Sequence, residues 1–164
     1  MTPQAEPLME DVDVVTAADP SCQPLADLRS GKPRHVAVGT AWTTVEPPGG
    51  DAAGSVVLTS YAAGEAKEKL REVKRALGTC NELEASSQRG WSERVDVKAL
   101  PTEAVGNESA SFSLTSPLQS PGKEQVMTLV RTGNTLAVYM IPPDGNVLPV
   151  SLMKEQHEKL QGAG

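Results

Sequence analysis

Between Ala62 and Leu77 the apolar residues Ala66, Leu70, Val73 and Leu77 recur at steps of four, three and four, so they share one side of a helix. Ser60 is the expected N-cap, and Gly78 supplies the residue that ends the helix, with Cys80 just beyond. Glu65 and Lys69 form an i,i+4 pair expected on the exposed side. A second amphipathic helix runs from about Val150 to Leu160, with Leu152, Met153, Gln156 and Leu160 on one side, and Gln161 to Gly164 fray. Asp19-Pro20-Ser21 reads as a helix start, leading into a short helix over Pro24 to Leu28 that holds Cys22 near its beginning.

The rest of the pattern is strand. His35 to Gly39 is a short strand, and the apolar run Ser55 to Thr59 reads as a central one. Trp91, Glu93, Val95 and Val97 alternate with Ser92, Arg94 and Asp96. Ala110, Phe112 and Leu114 alternate with serines, the pattern of a half-solvated strand. Gln125 to Arg131 and Thr135 to Ile141 form a hairpin through Thr132-Gly133-Asn134. Val12 to Val15 could add an edge strand. These elements define an α+β fold: a mainly antiparallel sheet with two longer helices packed on one face and one disulfide. Residues 1–20, rich in Pro, Asp and Glu, read as a flexible N-terminal tether, and residues 21–161 as a single domain.

Composition narrows the classes of partner. The chain has 164 residues but only two Trp, two Tyr and one Phe, so its core is aliphatic. A net charge of −6 argues against nucleic acid and against an anionic membrane surface. No run approaches the roughly 18 apolar residues of a membrane span. No signal-peptide core is present, which fits a cytosolic protein or a chain that begins after its signal.

Cys22 and Cys80 are too few and too far apart for a zinc ribbon or a CxxC pair. They read as a structural disulfide in an oxidising compartment; the alternative is two buried thiols in the cytosol. The disulfide is favoured because Cys80 ends the best helix and Cys22 opens a segment with little other anchorage. Closing so long a loop is worth about 4 kcal/mol.

Catalytic and metal chemistry find little support. His157-Glu158-Lys159-Leu160-Gln161 is not HExxH, and His35 lies in another element, so His157 reads as a solvated helix-face residue and no metal is expected. There is no GxSxG elbow, and the glycine-rich stretch Gly49 to Gly54 lacks a P-loop lysine; it is a flexible loop, or a lid over a cleft. Lys67, Arg71, Lys74 and Arg75 are interleaved with Glu65, Glu68 and Glu72, as on a solvated charged face. Asn107-Glu108-Ser109 matches a glycosylation sequon. Trp42 and Trp91 serve as core or rim packing, or else stand with Tyr61 as candidates to line an apolar ligand cleft.

Ser55 to Leu160 resembles the PknH-type extracellular sensor domain of actinobacterial receptor serine/threonine kinases and related cell-envelope lipoproteins. The resemblance is carried by a strand entering Ser60-Tyr61-Ala62-Ala63-Gly64-Glu65-Ala66, an Ala-rich helix closing on Cys80, Val105-Gly106-Asn107-Glu108 before a Ser-rich strand, Val130-Arg131-Thr132-Gly133-Asn134-Thr135, and a last helix ending Glu158-Lys159-Leu160. It implies an extracytoplasmic, non-enzymatic domain without a cofactor, in which helices pack on an antiparallel sheet beside an open cleft. The kinase sensors carry two disulfides, whereas this chain has cysteines for one, and a tethered or released lipoprotein relative fits best. The implied ligand is a small lipid-like molecule, apolar or amphipathic. The alternative is a cell-envelope protein–protein interaction module, with membrane attachment only through a tether outside this chain.

Overall fold

The computed structural model describes residues 4–5, 15–28, 38–45, 54–88, 90, 92–102, 104–116, 124–141 and 150–163. In chain order the elements are β1 (Gln4–Ala5), β2 (Val15–Ala17), a 3-10 turn at Pro20–Cys22, α1 (Gln23–Asp27), β3 (Gly39–Val45), β4 (Gly54–Ser60), α2 (Glu65–Thr79), β5 (Glu82–Ser87), β6 (Ser92–Leu100), β7 (Glu108–Thr115), β8 (Glu124–Thr132), β9 (Thr135–Ile141) and α3 (Val150–Ala163). The strands form one antiparallel sheet in the order β1-β3-β4-β9-β8-β7-β6-β5-β2.

The meander from β5 to β9 returns to pair β9 with β4, which leaves four strands between β4 and β5. The α2 helix makes that crossing. Its 15 residues span about 22 Å, and the five strand spacings to be crossed amount to about 24 Å. The apolar stripe is therefore laid across the middle of one sheet face. Ala66, Leu70, Val73 and Ala76 bury there against Phe112, Leu129 and Leu136. Leu77 packs at the margin, half-buried.

Three local details of α2 differ from the pattern reading. Ser60 ends β4 and lies 2.9 Å from the Thr135 hydroxyl, while the helix starts after Gly64, whose φ is +85°. Gly78 lies inside the helix, which closes as Cys80 turns extended to enter β5 and donates its N–H to the Ala76 carbonyl at 2.7 Å. Lys69 is only 5% exposed; its ammonium sits 5.9 Å from the Tyr61 ring centroid, so its stem covers the core margin and its charge meets an aromatic face.

Cys22 and Cys80 are disulfide-bonded, with Cα atoms 5.4 Å apart, across 58 positions of sequence. The bond holds the 3-10 turn and α1 against the C-terminal end of α2. The Asp19 carboxylate starts this segment by accepting from the Ser21 N–H at 2.9 Å, and that bond lowers its pKa. Burial of Leu25 and Ala26, and pairing of β2 with β5, anchor the same segment. Gln23 links α1 to β2: its Oε1 accepts from the Ala17 N–H and its Nε2 donates to the Val15 carbonyl. The N-terminal stretch read as a tether thus contributes strands to the two edges of the sheet, β1 beside β3 and β2 beside β5.

The α+β class, the antiparallel sheet and the disulfide are as expected. The placement of the helices is a correction. Only α2 packs with the disulfide and α1; α3 covers the opposite face, where Met153 packs with Val56, Val105, Val130, Ala137, Tyr139 and Ile141. Strands β8 and β9 therefore bury both faces. Met127 and Leu129 point toward α2, Val126 and Val130 toward α3. The serines of β7 lie on the side away from α2, and two of the three are buried rather than half-solvated: Ser113 is 1% exposed and Ser111 is also buried, while Ser109 is half-buried. β5 escapes the sequence pattern because Leu83 and Ala85 are its only buried apolar residues. The strand read as His35 to Gly39 runs instead from Gly39 to Val45, and positions 35–37 lie outside the described residues.

Candidate functional site

The second face carries a cavity of about 270 Å³. Its floor follows from strand register. Ser111 of β7 pairs with Thr128 of β8, and Thr128 pairs with Tyr139 of β9, so three hydroxyl-bearing residues form one row across the sheet. Val126, Val130 and Ile141 flank that row. The roof is Val150 and Met153 of α3, and one wall is Leu100, Pro101, Thr102 and Val105. Aliphatic surface predominates, with hydroxyls confined to a patch, which is the make-up of a pocket for an apolar molecule.

Within the row, the Ser111 and Thr128 hydroxyls lie 2.9 Å apart and share one hydrogen bond. Tyr139 is 2% exposed, and its hydroxyl has no hydrogen-bond partner among the described residues. Burial pushes its pKa up to about 12, so the phenol is neutral and keeps its proton to donate. A buried hydroxyl without a partner costs about 1–3 kcal/mol. No carboxylate, amine, guanidinium or imidazole side chain is among the described residues that line the cavity.

Gly106, Thr132 and His157 lie outside the lining, next in their elements beyond Val105, Val130 and Met153. Gly106 takes a φ of +68°, and a Cβ there would sit 2.6 Å from the Arg131 carbonyl oxygen and 2.7 Å from Val130 Cγ1. That close approach lets the wall meet β8, with the Asn107 N–H donating to the Arg131 carbonyl. The Asn107 side chain then accepts from the Gly133 N–H at 2.7 Å. Glu108 receives Lys74 from α2 and Arg131 from β8, each at 3.2 Å.

The other residues singled out by sequence fall elsewhere. Tyr61 is buried on the α2 face, away from this cavity. Trp42 lies within β3, opposite Val57 and Gln4, rather than after a strand; its side chain and all of Trp91 lie outside the described residues. Residues 49–53 of the candidate lid also lie outside them. His157 is half-buried and bonded to Thr132, a correction to its reading as a solvated residue. Arg71 pairs with Glu68 and Lys74 with Glu108, consistent with a charge-balanced surface. No cluster of three or more metal-ligating side chains occurs among the described residues, and no described helix is long and apolar enough to cross a membrane. The row Ser111, Thr128 and Tyr139 was invisible to the sequence, because it joins three strands; a tyrosine inside an otherwise aliphatic strand was its one local signal.

One wide antiparallel sheet, crossed by a helix on one face and roofed by a C-terminal helix on the other, defines the class of α+β sheet-and-helix domains to which the chain belongs. A solved structure shares the arrangement: the extracellular domain of PknH from Mycobacterium tuberculosis, with a TM-score of 0.57 and 11% identity over 97% of this chain and 84% of that one. At that identity the likeness is one of fold. No family model and no curated protein sequence matches the chain.

Proposed function

We propose that this chain is a non-enzymatic extracytoplasmic domain, sensor-like or lipoprotein-like, that binds a small apolar or amphipathic molecule between α3 and the sheet. The cavity carries the proposal: a predominantly aliphatic space of about 270 Å³ between α3 and the sheet, with the Ser111 and Thr128 hydroxyls on its floor. The compartment is supported by the Cys22–Cys80 disulfide, since such bonds persist where the surroundings are oxidising. The shared fold of a kinase extracellular domain supports the same compartment. Native mass spectrometry of protein purified from its own host tests the reading. A bound small molecule is expected, and protein that is consistently empty argues against it.

The protein-interaction alternative takes its motive from the turn Thr132 to Asn134. All three residues bond within the chain: Thr132 to His157, the Gly133 N–H to Asn107, and the Asn134 carbonyl to the Tyr61 N–H. The cavity is the better-supported site.

A further inference from the structure

We infer that α3 is a movable roof: it lifts off the sheet as one unit while the rest of the fold stays closed, and filling the cavity beneath holds it down. The lifting follows from how α3 is packed; that it admits a ligand rests on the reading of the cavity as a binding site.

Three observations lead there. The first is the contrast between the two long helices. Of the 15 residues of α2, Ala66, Lys69, Leu70, Val73 and Ala76 are buried, and the Cys22–Cys80 disulfide fastens its C-terminal end. Of the 14 residues of α3, Met153 and Gln156 are buried, with Val150 and Leu152 partly so. A helix is held mainly by its buried apolar stripe, so α3 is held less firmly than α2. The second observation is the cavity itself, which lies under Val150 and Met153. Side chains that face a void gain dispersion contacts on one side only, so the attachment is weak where α3 has its main apolar anchor. The third is that the floor does not depend on the roof. Strand β8 is paired with β7 and β9, β9 is paired also with β4, and their other face packs with the α2 stripe. Lifting α3 therefore breaks no strand pairing. It uncovers an apolar face that includes Val56, Val130 and Ile141, so burial makes the closed position the ground state. An occupant that touches both floor and roof adds contacts only when α3 is down, and by linkage it lowers the open population.

The test is native-state hydrogen exchange of the intact chain, refolded from urea so that it carries no ligand, in rising sub-denaturing urea. The amides of residues 154–160 should exchange at least about 100-fold faster than those in the middle of α2 and β8. They should do so through one shared opening, with a shallower urea dependence than global unfolding. Val126→Ile extends the floor into the cavity and should slow the same amides about 4-fold, the worth of one further buried methylene. Met153→Ala enlarges the void and should speed them at least about 10-fold while unfolding of the sheet stays cooperative. Exchange of residues 154–160 together with α2 and β8, on one urea dependence, would overturn the movable roof. So would openings that differ from residue to residue, which is fraying. Unchanged exchange of α3 in both variants would overturn its coupling to the cavity. A shared opening of α3, in a protein that native mass spectrometry finds consistently empty, keeps the roof and sinks the binding reading. A bound molecule in the native form, with α3 of the refolded form exchanging globally, does the reverse.

Discussion

The Thr132 hydroxyl oxygen lies 2.6 Å from Nδ1 of His157, and this contact ties α3 to the tip of the β8–β9 hairpin. His157 follows the cavity residue Met153 by one helical turn, so the bond holds the roof where the roof meets the floor. Thr132→Val keeps the shape and removes the hydroxyl. It should cost about 1 kcal/mol and speed hydrogen exchange in α3 while leaving α2 unchanged. Equal exchange in α3 with and without the hydroxyl would show that apolar packing alone holds the roof.

Reduction of Cys22–Cys80, or replacement of both by alanine, should destabilise the domain by up to about 4 kcal/mol. Residues 15–28 should lose exchange protection first, because β2 and α1 join the sheet at its margin through β5. The meander β7 to β9, which is covered on both faces, should hold longest. Unaltered protection at 15–28 after reduction would mean that Leu25, Ala26 and β2 pairing suffice.

Gly106→Ala and Gly133→Ala make an informative pair. Both positions have positive φ, +68° and +58°, but an added Cβ meets nothing at Gly133 and meets backbone at 2.6 Å at Gly106. The Gly133 variant should cost about 1–2 kcal/mol for the left-handed backbone alone. The Gly106 variant should cost about 2–5 kcal/mol, strain and overlap together. Equal unfolding midpoints would show that the wall can retreat from β8.

Both tyrosines of the chain, Tyr61 and Tyr139, have pKa values pushed up to about 12 by burial, at Tyr61 against the opposing effect of a bond with Thr59. The unfolded chain ionises them near 10, so it releases protons first as pH rises. The stabilising effect of their neutral forms is whole below pH 10 and falls away between about 10 and 12. An absorbance titration should show no phenolate near pH 10 while the fold persists. A normal ionisation of both residues in folded protein would contradict their burial.

Glu108 titrates in the other direction. Burial raises its pKa, but the hydrogen bonds and charges of Lys74 and Arg131 outweigh that and hold it below the ordinary carboxylate value of 4.5. Its folded form therefore contributes stability above about pH 4.5, and that contribution is lost as pH falls through the depressed value. Glu108→Gln should cost about 1 kcal/mol at pH 7. The difference from the parent should shrink as pH falls below 4.5 in chemical denaturation; a gap that does not change with pH would assign the effect to shape rather than charge.

Local pattern alone determined the elements whose reasons are local. The spacing of Ala66, Leu70 and Val73 is helical wherever the helix packs, and Gly133-Asn134 turns a hairpin because Gly133 accepts a positive φ. The cysteine pair was legible for a similar reason: the end of one helix and the start of another segment are both marked in sequence. Tertiary structure decided the rest, through contacts that no window of sequence contains. The α2 crossover and the return of β9 to β4 gave β8 and β9 two covered faces, and in the neighbouring β7, which reads as half-solvated, Ser111 and Ser113 are buried. The same crossover drew Lys69 over Tyr61. The cavity belongs wholly to this second group. Ser111, Thr128 and Tyr139 become neighbours only through register between strands, and the space above them exists because α3 settles on the face that α2 leaves open.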